Sequence, residues 1–390
     1  MERSPALKKL NIGHVDYYYE DSTKPVKGGL DVPFLMLTLI ILCIGVIMVF
    51  SASYASAYYE SGKPEYYFIR QGLFAVVGVG AMLLVSHFNY KIYYKYAFWL
   101  LGISIFLLIL VPVIGVESHG SKRWISLGFT TLQPSEIAKL AVVLTFAVLI
   151  CNIRDKMSTF KYGVLPFAVI LVILAGLLYL EPHLSATVII LALGAAMMFL
   201  GGVKYRWFFL GIALVAVVGY FVIGQLGYAS ARINIWRDPF SDTQGDGWQM
   251  VQSLLSIGSG GLTGLGLGNS RQKFLYLPEE HNDFIFSVVC EELGLVGAIV
   301  IIVLFMLLIL RGYWLALHAR DKFGMLVIAG IMTLLSLQVF FNIAVVTNLL
   351  PTTGISLPFF SYGGSALVMQ LVEMGIVLGV ARYNTPSDKK

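Results

Sequence analysis

The chain has 390 residues, of which 58% are hydrophobic and only 13% are charged, and its mean hydropathy is +0.80. Soluble domains carry about a quarter charged residues, so this composition excludes an ordinary soluble protein and indicates a membrane protein. The net charge of +5 comes from small basic groups scattered between apolar segments, which argues for membrane topology and against nucleic-acid binding. The three cysteines show no CxxC or Cys/His spacing typical of a metal site.

The sequence contains ten apolar runs that we interpret as transmembrane helices. About 20 apolar residues span the hydrocarbon core of a bilayer, and short polar or glycine-containing joints separate these runs. The runs are residues 32–50, 68–85, 97–116, 137–151, 163–180, 184–200, 207–223, 284–310, 324–346 and 365–382. The predicted fold is therefore an all-α polytopic membrane protein with ten transmembrane helices.

The distribution of Lys and Arg predicts the orientation, because loops retained in the cytoplasm are enriched in them. With the amino terminus inside, two thirds of the 27 Lys and Arg residues fall in inner segments. Both termini are therefore predicted to be cytoplasmic, as tails over residues 1–30 and 385–390 that flank a membrane domain at 31–384. The one long loop, residues 225–283 between the seventh and eighth helices, is then outside, and its length predicts a functional role.

A glycine-rich run at residues 258–268 lies within this loop. It follows no predicted strand and lacks the GK[ST] ending of a phosphate-binding loop, so nucleotide binding is disfavoured. We interpret its glycines as positions of close backbone approach or tight turns.

Three acidic residues mark the start of the eighth predicted helix. Asp283 lies at its outer mouth, and Glu291 and Glu292 lie about two turns deeper, roughly 12 Å at 1.5 Å per residue. Ionisable groups at such depth usually face a cavity or a partner. Asp283 fits two interpretations: a solvated N-cap, or a general base toward a hydroxyl nucleophile, since burial raises the pKa of a carboxylate.

The short outer segment after the third helix carries two adjacent cations, Lys122 and Arg123, against the topological bias. A diphosphate head group is a natural reason to keep them there. Pro134 is predicted to begin the fourth helix, where Glu136 and Lys139, spaced i and i+3, can pair on one face. That pair fits either a structural ion pair or part of a polar site.

Residues 348–365, between the last two helices, contain no charge and are interrupted by Pro and Gly. We interpret them as a partly re-entrant loop, which is tolerated only where protein or a water-filled cavity satisfies its amides. Such a loop alone indicates a pore or a lipid groove equally well.

Taken together, these motifs resemble the shape, elongation, division and sporulation (SEDS) family of bacterial cell-wall proteins over essentially the whole membrane portion. The resemblance is carried, in order, by GSKRWISLG (120–128), QPSE (133–136), the glycine-rich residues 258–270, DFIF (283–286), EELG (291–294) and LPTTG (350–354). Residues 268–272 and 351–358 are more similar to the division and sporulation members than to the elongation members.

The resemblance implies a ten-helix glycosyltransferase of the GT-C type that polymerises lipid II into glycan strands, with Asp283 as the catalytic residue. The leaving diphosphate requires positive charge, and a divalent cation, Mg²⁺ or Mn²⁺, is a further candidate to supply it. Substrate binding is assigned to the charged side chains of the same motifs: Lys122, Arg123, Glu136, Lys139, Arg271, Lys273 and Glu292.

The resemblance also implies partners in the bacterial cytoplasmic membrane: a class B penicillin-binding protein that acts as transpeptidase, and other membrane proteins of the divisome. Small residues on the eighth helix, Gly294, Gly297 and Ala298, are a candidate contact for the partner's helix. The alternative is that they pack this helix against its own neighbours.

One segment departs from the family pattern, and two rival functions remain open. At residues 181–187 the family commonly shows Pro-Asp and then Gly, whereas His183 and Ser185 stand here, so no role is assigned to this segment. Polar residues within the predicted helices could line the path of a lipid II flippase: Gln338, Asn342, Gln370 and Glu373. A non-catalytic scaffold for division proteins is the third alternative.

Overall fold

Long uncharged apolar segments can satisfy their backbone polar groups in a membrane only as helices, and helices make up most of this structure. The computed structural model describes residues 7–12, 15–20, 28–118, 121–128, 130–211, 213, 234–243, 245, 247–274 and 276–383. The ten labelled helices are α1 (Val32–Ser61), α2 (Tyr66–Val85), α3 (Lys91–Ile114), α4 (Pro134–Ile153), α5 (Leu165–Leu180), α6 (Leu184–Leu200), α7 (Trp248–Gly260), α8 (Ile285–Leu317), α9 (Lys322–Val346) and α10 (Gly364–Ala381).

Eight helical segments of the described chain, those of α1–α5 and α8–α10, are long and apolar enough to cross a membrane. Helix α6 is apolar but has only 17 residues, and α7 has 13 residues and is not one of the predicted spans. The predicted seventh span, 207–223, lies mostly outside the described residues, although residues 205–211 are helical. The chain is thus a multi-pass membrane protein, while the count of ten spans and the outside position of residues 225–283 stay predictions.

The prediction of an all-α chain is wrong for two short segments. In the amino-terminal tail, β1 (Leu7–Ile12) pairs with β2 (Val15–Glu20) as an antiparallel hairpin. After α3, the strands β3 (Val116–Ser118), β4 (Ser121–Ser126) and β5 (Thr131–Leu132) form an antiparallel sheet with β4 in the middle. Gly128, at φ +86°, allows the tight turn between β4 and β5. The six-residue strands β1, β2 and β4 do not alternate strictly between apolar and polar residues, and β3 and β5 have only three and two residues, so no period of two is seen in the sequence.

The bundle has a central group of helices and a peripheral group. Most side chains of α4, α9 and α10 are buried within the chain, whereas α2, α3, α5 and α8 leave most of theirs on the outside. Helix α2 packs on α10, α3 on α4, and α8 on both α9 and α7. The peripheral helices therefore present apolar surface to lipid, as expected where the solvent is hydrocarbon.

The glycine-rich run inserts into a break in α8. Gly294 has a non-helical conformation (φ 66°, ψ −168°), which interrupts the helix. The freed carbonyls of Glu291 and Glu292 accept hydrogen bonds from the backbone N–H groups of Leu265 and Gly266, both at 3.0 Å. A Cβ at Gly264 would lie only 2.1 Å from the Glu292 carbonyl oxygen, so close backbone approach requires glycine there, as predicted from the sequence.

The charge-free segment before α10 is folded into the protein, and side chains satisfy its backbone. Gln370 accepts from the N–H of Phe359 at 2.9 Å, and Asn342 donates to the carbonyl of Ile355 at 2.7 Å. Gln71 of α2 donates to the carbonyl of Ser361 at 3.2 Å. Two of the polar residues that suggested a transport path, Gln370 and Asn342, therefore hold this segment in place.

Candidate functional site

A cavity of about 790 Å³ lies at one end of the helix bundle. Because short turns join the helices, this end collects the starts of α2, α4, α6, α8 and α10, together with the sheet and the segment before α10. Charged and polar side chains from these elements line it: Arg70, Arg123, Gln133, Glu136, Lys139, His183, Gln249, Glu279, Asn282, Asp283, Gln338 and Tyr362. A polar cavity enclosed by membrane helices is a candidate binding or catalytic site.

Asp283 lies in the cavity wall directly before α8. The helix begins at Ile285 with Phe284 as its N-cap, so the interpretation of Asp283 as a side-chain N-cap is wrong. The backbone carbonyl of Asp283 accepts a hydrogen bond from Asn342 Nδ2 at 2.8 Å. The same Nδ2 group also donates to the backbone carbonyl of Ile355. Asn342 therefore holds the backbone of Asp283 against the segment before α10.

Gly354 leaves room for the Asp283 carboxylate. A Cβ at position 354 would lie 2.8 Å from Asp283 Oδ2, closer than ordinary van der Waals contact. Both residues line the cavity. The glycine of the LPTTG motif thus keeps side-chain atoms away from this carboxylate.

The opposing polar wall contains three of the predicted site residues. Lys139 Nζ lies 2.7 Å from Glu136 Oε2, which confirms the predicted pairing at the start of α4, and Pro134 is the first residue of that helix, as predicted. Both side chains of the pair are buried. Arg123, on β4, lines the same cavity, and its Nη2 donates to the carbonyl of Pro182 at 2.6 Å.

The turn between α5 and α6, to which no role was assigned, places ionisable groups beside Arg123. Burial raises the pKa of Glu181 to about 8, while the charge of Arg123 opposes that shift. Glu181 is only 2% exposed, and neither of its carboxyl oxygens makes a hydrogen bond to the described residues. Burial lowers the pKa of His183, a cavity residue, to about 3, so its imidazole is neutral at physiological pH.

Two predicted substrate-binding residues lie in a separate buried network. Lys273 Nζ lies 3.0 Å from Glu292 Oε1, and neither residue lines the cavity. Ser51 of α1 donates to both carboxyl oxygens of Glu292, at 2.7 and 2.6 Å. Glu291 accepts from Ser270 Oγ and from the backbone N–H of Arg271 at 2.9 Å. These contacts hold the glycine-rich segment against α1 and α8.

The remaining predicted residues are on the surface, outside the cavity lining. Lys122 and Arg271 are exposed. Lys122 precedes Arg123 on β4, and three residues of this strand, Arg123, Trp124 and Ser126, line the cavity. Only one of the two adjacent cations is therefore a cavity residue.

Sequence reasoning missed Arg70 and Tyr362 as cavity residues. Both belong to segments considered only as a span and as a loop. Arg70 did give a signal, since it is a cation near an outer helix end, against the topological bias.

The described residues do not include a group of three or more His, Cys, Asp or Glu side chains that could hold a metal ion. A site built from protein ligands alone therefore does not fit this part of the chain. The divalent cation stays a prediction.

Comparison with known proteins gives consistent relatives. A family model described as cell cycle protein, for FtsW, RodA and SpoVE, matches residues 32–386. The chain is 38% identical over 375 residues to the "probable peptidoglycan glycosyltransferase FtsW" of Geobacter metallireducens, which covers 96% of this chain and 97% of the relative. It is 39% identical over 362 residues to stage V sporulation protein E of Bacillus subtilis, a match that covers 92% of this chain and 98% of the relative.

Solved structures share the fold. One, described as "Structural coordination of polymerization and crosslinking by a peptidoglycan synthase complex", has a TM-score of 0.78 and 28% identity, over 91% of this chain and 98% of that one. The crystal structure of the rod shape determining protein RodA of Thermus thermophilus has a TM-score of 0.68 and 28% identity, and the match covers 91% of this chain and 97% of that one.

Proposed function

Because the chain belongs to the FtsW, RodA and SpoVE family of cell cycle proteins, we propose that it is a peptidoglycan glycosyltransferase. It joins lipid II disaccharide units into β-1,4-linked glycan strands for the division or sporulation septum. The observation that carries this proposal is the placement of Asp283 in a polar cavity, with Arg123 and Lys139, at one end of a membrane helix bundle. Both termini are then cytoplasmic, and the cavity faces outward.

The reaction exchanges one bond to the anomeric carbon for another. The 4-hydroxyl oxygen of the incoming lipid II attacks the anomeric carbon of the growing strand, whose bond to the lipid diphosphate breaks with inversion from α to β. Asp283 takes the hydroxyl proton as general base, a role that a carboxylate within hydrogen-bond reach can fill. The electron pair of the broken bond leaves on the lipid diphosphate.

The leaving diphosphate gains charge on its bridging oxygen, and cations placed in advance stabilise that charge. Arg123 lines the cavity and offers a planar fork that suits phosphate oxygens. Lys139 lies deeper, fixed by Glu136, and Glu373 of α10 is buried beside this pair. The ion pair fixes the position of the Lys139 charge, and charges fixed in advance support electrostatic catalysis.

A separate chain must supply peptide crosslinking. We propose a class B penicillin-binding protein with one membrane helix, a proposal supported by the structural relative described as a complex for polymerization and crosslinking. Two of the three small residues predicted as its contact, Gly294 and Ala298, do not fit this role because they are buried within the chain, whereas Gly297 is half-buried and stays a prediction. A Cβ at Gly294 would meet the backbone N of Gly264 at 2.3 Å, so Gly294 packs α8 against another part of the same chain.

The test uses purified protein with fluorescently labelled lipid II in detergent, alone and together with the crosslinking partner. Detergent offers no membrane to flip across and no divisome to scaffold. Glycan polymer, digestible by a muramidase, is the expected product. If lipid II stays monomeric in both preparations, the polymerase proposal is wrong and the flippase or scaffold alternatives return.

A further inference from the structure

A second arginine lines the cavity from a different side than Arg123. Arg70 lies in the first turns of α2, and its guanidinium carbon lies 4.6 Å from the centre of the Tyr66 ring. Arg70 also interacts with the Tyr362 side chain, whose pKa it lowers against the larger effect of burial. The backbone N–H of Tyr362 donates to the carbonyl of His281 at 2.9 Å, two residues before Asp283. Arg70 is therefore positioned by the segments that flank Asp283.

Aromatic ring contacts and a buried hydrogen bond hold the residues around Arg70 in place. The Tyr67 ring centre lies 4.6 Å from that of His281 and 4.8 Å from that of Tyr362. The adjacent Gln71 is fully buried and bonds the backbone of Ser361. An arginine has five N–H donors, so the contacts to Tyr362 and the Tyr66 face leave donors for a ligand. The guanidinium itself is exposed to the cavity.

Arg70 also lies where the polar cavity meets the lipid-facing surface of α2. Neighbouring side chains on the helix are apolar and exposed: Ile69 at 59%, Leu73 at 62% and Val76 at 75%. A polyprenyl chain that lies along this surface brings its diphosphate to the level of Arg70. The combination of an apolar helix face and an arginine at its polar end matches a lipid-linked phosphate.

We propose that Arg70 binds the diphosphate of the incoming lipid II, at a subsite separate from the one that Arg123 provides for the leaving diphosphate. This inference rests on the proposed function, because polymerisation at one Asp283 requires two lipid diphosphates at once. The leaving diphosphate is attached to the reacting carbon. The diphosphate of the incoming lipid II is at the far end of a disaccharide from the attacking hydroxyl, so it needs cations elsewhere in the cavity.

Counting bound lipids by native mass spectrometry tests this subsite without any reaction. The probe is undecaprenyl diphosphate added to purified protein in detergent, with inorganic diphosphate as the second probe. We expect two undecaprenyl diphosphates on the wild-type chain, and one each on Arg70→Ala and Arg123→Ala. The matched control is Lys63→Ala, because Lys63 is an exposed cation shortly before α2 that does not line the cavity. We expect this variant to retain two bound undecaprenyl diphosphates.

Kinetics give the second measurement. Loss of a charge-assisted contact costs about 1.5–3 kcal/mol, so Arg70→Ala should raise the KM for lipid II roughly tenfold or more with kcat near the wild-type value. Arg70→Lys keeps the charge and should show a smaller rise. Arg123→Ala should lower kcat instead.

The outcomes separate the two proposals. Two bound lipids on Arg70→Ala, or one on the wild type, would overturn the subsite, as would equal binding of inorganic diphosphate. Two bound lipids on the wild type and one on Arg70→Ala, in a protein that makes no polymer, would support the subsite and refute the polymerase function. Melting temperatures of the variants establish that each is folded.

Discussion

Lys273 and Glu292 form an ion pair inside the protein, with 3.0 Å between Nζ and Oε1 and side-chain exposures of 3% and 0%. Lys273 also donates to the carbonyl of Gly268 at 2.6 Å. The pair therefore joins the segment that follows the glycine-rich run to the broken helix α8. We interpret both residues as supports for the segment that leads to Asp283, not as ligands of the substrate.

Removing one partner of this pair is expected to be strongly destabilising. Lys273→Met leaves the Glu292 carboxylate buried without its cation, which costs about 3–5 kcal/mol in comparable buried pairs. The double variant Lys273→Met/Glu292→Gln removes both charges and should regain much of that loss. Thermal unfolding in detergent of the single and double variants gives the coupling energy. Strictly additive losses would show that the two charges do not interact.

The helices could be predicted from the sequence because apolar length directly reflects the bilayer thickness. The residues that contact the buried charges could not be predicted from the sequence. Glu292 is buried within α8, but its partner Ser51 is 241 residues away in α1. The local sequence pattern does not indicate a contact over such a separation. An ionisable group in a membrane span indicates a polar neighbour, and here that neighbour is another part of the protein.

Part of the candidate site could also be predicted from the sequence. Asp283, Arg123, Glu136 and Lys139 do line one cavity. Asp283, Glu136 and Lys139 belong to motifs at the start of a helix, whereas Arg123 lies on β4. Lys122 was grouped with Arg123 because adjacent residues in a loop look equivalent, whereas in the structure Arg123 lines the cavity and Lys122 is exposed on the surface. The sequence of β4, SKRWIS, does not alternate between apolar and polar residues, so this strand was not recognised from the sequence.

The role of Asp283 as general base predicts a large loss in Asp283→Asn. The amide has the same shape but cannot accept the hydroxyl proton, and general-base catalysis contributes roughly 10²–10⁴-fold. Polymerisation should therefore fall at least about 10²-fold, with an unchanged melting temperature and elution profile. Initial rates with labelled lipid II measure this loss. Wild-type activity in the variant would remove the base assignment.

Gly354→Ala should reduce activity without unfolding the protein. The new methyl group would lie 2.8 Å from Asp283 Oδ2, a flexible side-chain end that can turn away. The carboxylate is then displaced from its position, and small displacements at a reacting centre can lower rates about 10²-fold. The matched control is Gly363→Ala, also in the cavity wall, where a Cβ meets only Ala366 at 3.5 Å. Equal rates in the two variants would contradict the proposed geometry.

Arg123 and Lys122 offer a comparison of neighbouring cations. Arg123 lines the cavity and Lys122 does not, so Arg123→Ala should lower kcat by about 10²-fold or more, as for other lost contacts to a developing anion. Arg123→Lys should retain part of that rate, because it keeps the charge but loses the bidentate fork. Lys122→Ala should stay near wild type. Similar losses in Lys122→Ala and Arg123→Ala would indicate a general effect of surface charge on lipid II capture.

Glu181 should give the protein a stability that falls as pH rises. Burial raises the pKa of this carboxyl from 4.5 to about 8, so the folded protein keeps a proton that the unfolded chain has lost. Between these two values the folded state binds more protons, and the free energy of unfolding therefore decreases with increasing pH. Below 4.5 both states are protonated, and above about 8 both are ionised, so the change is confined to this window.

Glu181→Gln removes the titration while it retains the size of the side chain. Its melting temperature should fall less than that of the wild type as pH rises from 4.5 to about 8. His183, whose pKa burial lowers to about 3, contributes in the opposite direction below 6.5, and the difference between variant and wild type cancels that contribution. Glu65→Gln, at an exposed carboxylate before α2, is the control and should follow the wild type. Parallel curves for Glu181→Gln and wild type would contradict a raised pKa of Glu181 in the folded protein.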